Sequence, residues 1–374
     1  MSPKPYEGLF VLDASQGIAG PYCATLLAAC GANVVKVEPP TGDWSRNLTT
    51  RAGQHSVMHT TFNRGKRSVV LDLQTEEGRA RFAKLAARAD VMLEAFRPGV
   101  AKRLGIVPEA GKPDVVFLSI SGFGQTGPYA ERPCTDSVGQ AFSGLAAMNE
   151  GMDGAPHRTG PIMTVDVVTG ISAFAAVQAA LAAQARDRAA GAPPRPRVLD
   201  VSLMQSAAAF LALNIAENGL LGQVPPPPNV PAGTYQCRCG GWLIIGLLRE
   251  AEFVEMCRIL ELPDLSQDPR FATYPDRAKN RPALIPIIRE AFLRRDREDW
   301  IARFQAARML VDRVNTPLDF LADEHVRAVG AVVPLEQPEL GTLPYPMLPG
   351  IGPWSVPAPG LGQHTEEVLR EFGV

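Results

Sequence analysis

The feature that most constrains this chain is the alternation, over roughly its first third, of short apolar runs with helix-period segments. "GLFVLDAS" suits a buried strand, "PYCATLLAAC" reads as a helix stopped by Gly31, and "NVVKVE" is a second strand. "SVVLDL", "TEEGRARFAKLAARA", "DVMLEAF" and "DVVFLSISG" continue the alternation. Strands that are joined through helices return in parallel, so this pattern predicts an α/β protein with a mainly parallel, Rossmann-like sheet covered by helices on both faces. Thr75, followed by Glu76 and Glu77 and then Gly78, predicts the start of the helix in the third repeat.

A chain of 374 residues has room for about two domains. In "TGPIMTVDVVTG" a carboxylate, Asp166, stands where a Gly/Pro-bearing turn meets a long apolar run to Arg188, with Val168, Ile171, Phe174 and Leu181 at helical spacing. Asp166 therefore reads as the first residue and cap of a helix, whose dipole favours the charged carboxylate. Such a group can be a nucleophile. "QVPPPPNVPAG" is the clearest linker, since consecutive prolines break a helix, and a domain boundary is expected there. The segment beyond it reads as a smaller α/β or mainly helical domain, and the chain from about 330 is again rich in proline and glycine.

A net charge of -2 with no run of like charges argues against nucleic acid as a partner. No uninterrupted apolar run reaches the roughly 18 residues of a membrane span and the amino terminus lacks a signal-peptide pattern, so no membrane partner and a cytoplasmic location are expected. The six cysteines are scattered and read as free thiols, and "CRC" at 237–239 has no second ligand pair at metal-binding spacing, so no metal is expected.

Several chemistries are compatible with the residues alone. "DASQGIAGP" places Gly17 and Gly20 before a helix, with Glu38 at the end of the next strand, as in a dinucleotide site. The first glycine of that fingerprint is missing, and a tight turn with close packing explains the pair equally. No G-x-S-x-G elbow is present, and "SISGFGQTG" lacks the lysine of a phosphate loop. Basic clusters at Arg64, Lys66 and Arg67 and at Arg97, Lys102 and Arg103 fit either a solvated surface or a phosphate-bearing ligand.

Taken in order, "VLDASQGIAGPYCATLLAACGANVVKVEPPTGD", "FNRGKRSVVLDLQTEEGR", "DVMLEAFRPGVAKRLG", "LSISGFGQTGPYAERP", "TDSVGQAFSGL", "DVVTGISA", "VLDVSLMQSA", "DPRFATYPDRAKNR" and "LGQHTEEVLREFG" resemble CoA-transferase family III nearly end to end. The resemblance implies an aspartate that attacks an acyl-CoA thioester to give a mixed anhydride and then an aspartyl-CoA thioester; the matching position is Asp166. It implies CoA contacts at Ile18, Ala19, Leu71, Gln74, Ala95 and Phe96, phosphate contacts at Arg97 and Arg103, and an active-site position at Asp136. Coenzyme A thioesters would be substrates, with no permanently bound cofactor, and the acceptor a free carboxylic acid, dicarboxylates being favoured by the family's breadth. A discontinuous large domain (1–224 with 330–374), a small domain (225–329) and an interlocked homodimer are implied, a hetero-oligomer with a paralogue being the alternative.

The chain departs from formyl-CoA transferase at Pro39 (an Arg there), at Thr135 (a Tyr there) and in lacking its glycine-rich lid beyond "CGG" at 239–241, which argues against formyl or oxalyl transfer. Two other readings belong to the same fold. An α-methylacyl-CoA racemase would place a His at Thr135, and threonine is no acid/base near neutral pH. A non-catalytic partner subunit would not need Asp166.

Overall fold

In the computed structural model, which describes residues 4–149, 156–226, 228–352 and 354–374, the chain forms two compact units: the residues up to Ala212 with Gly330–Val374, and Leu213–Val329. The chain divides ahead of the proline-rich linker, so a helix that precedes the linker belongs to the smaller unit.

The large unit starts β1 (Phe10–Asp13), α1 (Ala19–Ala29) and β2 (Asn33–Glu38), followed by a short hairpin of β3 (Arg51–Ala52) and β4 (His55–Ser56). Next come α2 (Val57–Asn63), β5 (Arg67–Val70), α3 (Glu76–Ala86), β6 (Val91–Glu94), α4 (Val100–Arg103) and β7 (Val116–Ser121). Then α5 (Asp136–Ser143), α6 (Leu145–Met148), the long α7 (Thr164–Ala189), β8 (Arg197–Ser202) and α8 (Leu203–Phe210) complete this part. Six strands pair in the order β5-β2-β1-β6-β7-β8, every pair parallel, with Val11 opposite Val34 and Val91. As the sequence predicts, the Thr75 hydroxyl caps α3 by accepting from the Gly78 N–H.

Both faces of the sheet are covered, which is why its strands are apolar throughout rather than alternating. On one face α1, α7 and α8 bury Cys23, Leu27, Val165, Ala173, Val177 and Leu203 against Val11, Val91 and Leu118. On the other, Phe82 and Leu85 of α3 and residues from the chain's end meet Leu12, Val35 and Met92. Order reverses between β1 and β6, so their carboxyl ends splay apart and leave a crevice, the usual ligand position in an open parallel sheet.

The small unit has α9 (Ala212–Leu221), lying almost wholly within it, and a three-stranded antiparallel sheet, β9 (Gly233–Gln236), β10 (Trp242–Gly246) and β11 (Leu310–Arg313). Around the sheet stand α10 (Glu250–Ile259), α11 (Tyr274–Lys279), α12 (Arg281–Phe292) and α13 (Arg297–Ala306), with α14 (Pro317–Ala322) and α15 (Glu324–Ala328) following. Its core holds Leu243, Ile245, Phe253, Phe271, Phe292 and Trp300. Back in the large unit, the hairpin β12 (Val332–Gln337) and β13 (Gly341–Pro346) precedes α16 (Thr365–Phe372), which secures the edge strand: the His364 N–H donates to the Ser68 carbonyl, and the Val70 N–H to Oγ1 of Thr365.

Candidate active site

Two cavities lie at the crevice. One, of about 450 Å³, is lined by Val37, Glu38, Leu71, Gln74, Phe96 and Leu104 among others; the second, of about 360 Å³, by Ile18, Ala19, Gly20, Ala95, Arg97, Arg132, Cys134, Thr135 and Asp166 among others. Gln16, Trp44 and Phe96 border both, so the two form neighbouring compartments of one groove. Of the residues singled out in the sequence, Ile18, Ala19, Ala95, Phe96, Arg97 and Asp166 thus share the second compartment, and Leu71 and Gln74 line the first. Arg103 is exposed on α4 and lines neither.

The first βα turn is held from beneath by buried charges. The Lys66 ammonium donates to Asp13, Asn63 and the Pro21 carbonyl, each at 2.8 Å; Lys36 donates to Asp43 and to the Ser15 carbonyl, also at 2.8 Å. Asp43 in turn accepts the Gly17 N–H, and Gly17 has φ +84 with Trp44 packed where a side chain would stand. Burial opposes the charge of Asp13, yet Lys66 and Lys36 overcome it and hold the carboxyl below its usual range. Burial draws Lys66 down to about 8 against the pull of Asp13. Lys66 is therefore a strut and no phosphate ligand. Arg64 is clasped by the Tyr345 and Trp354 rings and Arg67 pairs with Glu371, so that basic cluster is structural throughout. Glu38, which a dinucleotide would need for its ribose, is tied to Arg46 by two hydrogen bonds of 2.8 and 2.7 Å.

Asp166 is not the cap of its helix. It is the third residue of α7, whose N-cap, Met163, makes no side-chain bond. The cap comes from α5: Oδ1 of Asp136 accepts the Val165 N–H at 2.7 Å and the Asp166 N–H at 3.2 Å, while Oδ2 accepts from the Gln140 amide at 2.6 Å. Asp136 is buried and its oxygens are engaged, so the structure gives it a supporting position behind Asp166. Two glycines allow the approach. A Cβ on Gly139 would lie 2.9 Å from Val165, and one on Gly170 would lie 2.9 Å from the Ala19 carbonyl oxygen, so α5 and α1 both close tightly on α7.

Asp166 consequently faces the first turn of α1, which no side chain caps. Burial, and then the negative charge of Asp136, push its carboxyl up to about 7. This runs against the charged form that the helix dipole favours, because loss of hydration and a like charge outweigh the dipole. Among the described residues α7 alone is long and apolar enough to cross a membrane, yet Val165, Ala173 and Val177 are buried in the sheet's covering layer.

Trp44 and Arg132 escape the sequence reading, because an exposed tryptophan at a turn and an arginine in a loop carry no periodic signal. The fold and these compartments define an α/β protein with an extended groove at its switch point, Asp166 being the carboxylate that lines the second compartment.

Comparison with known proteins narrows that class: the profile of CoA-transferase family III matches residues 6–365, and the chain belongs to that family and is an enzyme of the CoA-transferase class. It is 31% identical to the succinyl-CoA–D-citramalate CoA-transferase of Chloroflexus aurantiacus, covering 99% of this chain and 94% of the relative. It is 30% identical to the human succinyl-CoA:glutarate CoA-transferase, over 98% of this chain and 86% of that one. A crystal structure of a CAIB/BAIF family protein from Brucella suis superposes with a TM-score of 0.86 at 28% identity, covering 99% of this chain and 100% of the other.

Proposed function

We propose that this enzyme moves CoA from succinyl-CoA or a similar acyl-CoA to a short dicarboxylic acid, with Asp166 as the nucleophile. The observation that carries the reading is the placement of Asp166 on the wall of the switch-point compartment, beside the uncapped first turn of α1. The carboxylate adds to the thioester carbonyl and CoA thiolate leaves, giving a mixed anhydride. The thiolate then attacks the aspartyl carbonyl, releasing the donor acid and leaving an aspartyl-CoA thioester. The acceptor carboxylate repeats the sequence in reverse, so no proton is gained or lost overall. The N–H groups of the first turn of α1 are the donors at hand for each tetrahedral oxyanion.

In this reading Leu71 and Gln74 bind one end of CoA in the larger compartment, Ile18, Ala19, Ala95 and Phe96 guide it toward Asp166, and Arg97 and Arg103 meet its phosphates. Asp136 orients the nucleophile. The dicarboxylate assignment draws on the two relatives, whose names pair succinyl-CoA with citramalate and with glutarate. Thr135 supplies no base at the racemase position, although it lines the same compartment. The test is isotope exchange: labelled succinate should enter succinyl-CoA with no second acid present, a property of the aspartyl half-reaction. Solvent exchange of the α-hydrogen without transfer of CoA would instead establish the racemase.

A further inference from the structure

We infer that Arg132 reads the free carboxylate of the dicarboxylic substrate. The inference rests on the transfer reading above and adds to it the group that selects the substrate. A dicarboxylic acyl-CoA brings one carboxyl to Asp166 as the thioester and carries the other as an anion into the same compartment. A cation with paired hydrogen-bond donors is the group that recognises such an anion. Arg97 and Arg132 are the cationic side chains that line the Asp166 compartment. Arg97 follows Phe96, which borders both compartments, and is assigned to CoA. Arg132 belongs to a different segment, the stretch through Cys134 and Thr135 that leads directly into Asp136 and so to the cap of the Asp166 helix.

Arg132 is an exposed side chain that lines the Asp166 compartment, its guanidinium has no counter-ion among the described residues, and the rings it lies over border a separate cavity. The guanidinium carbon lies 5.5, 5.3 and 5.9 Å from the ring centres of Phe123, Tyr129 and Phe142, which themselves meet edge to face. Among the described residues no carboxylate pairs with Arg132 and no side-chain hydrogen bond reaches it. The loop that carries it is fastened: the Gln125 N–H donates to Asp200 at 2.9 Å, the Arg132 N–H to the Tyr129 carbonyl at 2.9 Å, and Gly124 and Gly127 both hold φ +95. Aromatic faces hold a planar guanidinium while leaving N–H groups at its edge able to fork onto a carboxylate. A lysine would keep the charge and lose the fork.

The experiment measures kcat/KM for CoA transfer to succinate and glutarate against butyrate, an acid without the second carboxylate. In the unaltered enzyme the dicarboxylates should be preferred. In Arg132→Gln that preference should fall about 10- to 100-fold, mainly through KM, with Arg132→Lys in between. Retained preference in Arg132→Gln, or an equal loss for both kinds of acid, overturns the inference, as does collapse of the preference in Arg97→Gln instead. An unaltered enzyme that transfers CoA without favouring dicarboxylates overturns it too while leaving the CoA-transfer mechanism standing. Absence of transfer to any acid would remove the function reading itself.

Discussion

At Asp166 two requirements pull against each other: the attacking group must be an anion, yet burial and Asp136 disfavour that anion and raise the carboxyl to about 7. The rate constant kcat/KM for acyl-CoA should therefore rise with pH through about 7 and level off above it, which a pH-rate profile of the half-reaction measures. Asp136→Asn keeps an oxygen that can accept from Val165 and Asp166 but removes the like charge, so the profile should move to lower pH. The stability consequence has a definite sign. A carboxyl whose folded pKa lies above its unfolded value disfavours the fold once it ionises, so Asp166→Asn should stabilise the protein at pH 8, on the order of 1–3 kcal/mol, while abolishing transfer. The gain should shrink through the window below about 7 and vanish near pH 4, as denaturant titrations at several pH values would show. An unchanged stability at pH 8 would mean that the anion is better solvated than its surroundings imply.

Between elements, the site depends on how closely α7 is allowed to approach α1. A side chain at Gly170 would press on the Ala19 carbonyl and the Tyr22 ring, so Gly170→Val should displace α7 by pushing at the turn that follows Asp166. Roughly 1–3 kcal/mol of stability should be lost, and kcat should fall by at least tenfold; full activity would show that the crossing does not position the nucleophile. Lys66→Met should be harsher, about 3–5 kcal/mol by thermal or urea unfolding, since it strands the buried Asp13 carboxylate. These contacts explain what the sequence could reveal. Strand and helix alternation and the Thr75 cap are local patterns, legible in a window of a dozen residues or so. The cap of Asp166 comes from a residue thirty positions earlier, and the partner of Lys66 from the first strand, so neither leaves a local mark. A basic cluster looks the same in sequence whether it meets solvent, phosphate or a buried acid. The proline-rich linker, in turn, marks where a helix must end and not where two units part.

Across the whole molecule, apolar side chains stand in solvent on α9, with Leu213 76%, Leu220 86% and Leu221 50% exposed. Exposure of this kind two turns apart, on one face of the helix, fits coverage by a second copy of the chain, so sedimentation at micromolar concentration should give a dimer; a monomer there would contradict the expected assembly. Steady-state kinetics with donor and acceptor varied together should reflect a covalent enzyme form, with parallel lines in double-reciprocal plots. The central claim is tested most directly by peptide mass spectrometry after incubation with a panel of acyl-CoAs, trapping the activated carboxylate with hydroxylamine or borohydride. The account requires the label on Asp166, and its loss in Asp166→Ala. A label on another residue, or none from any acyl-CoA in a broad panel, would contradict it.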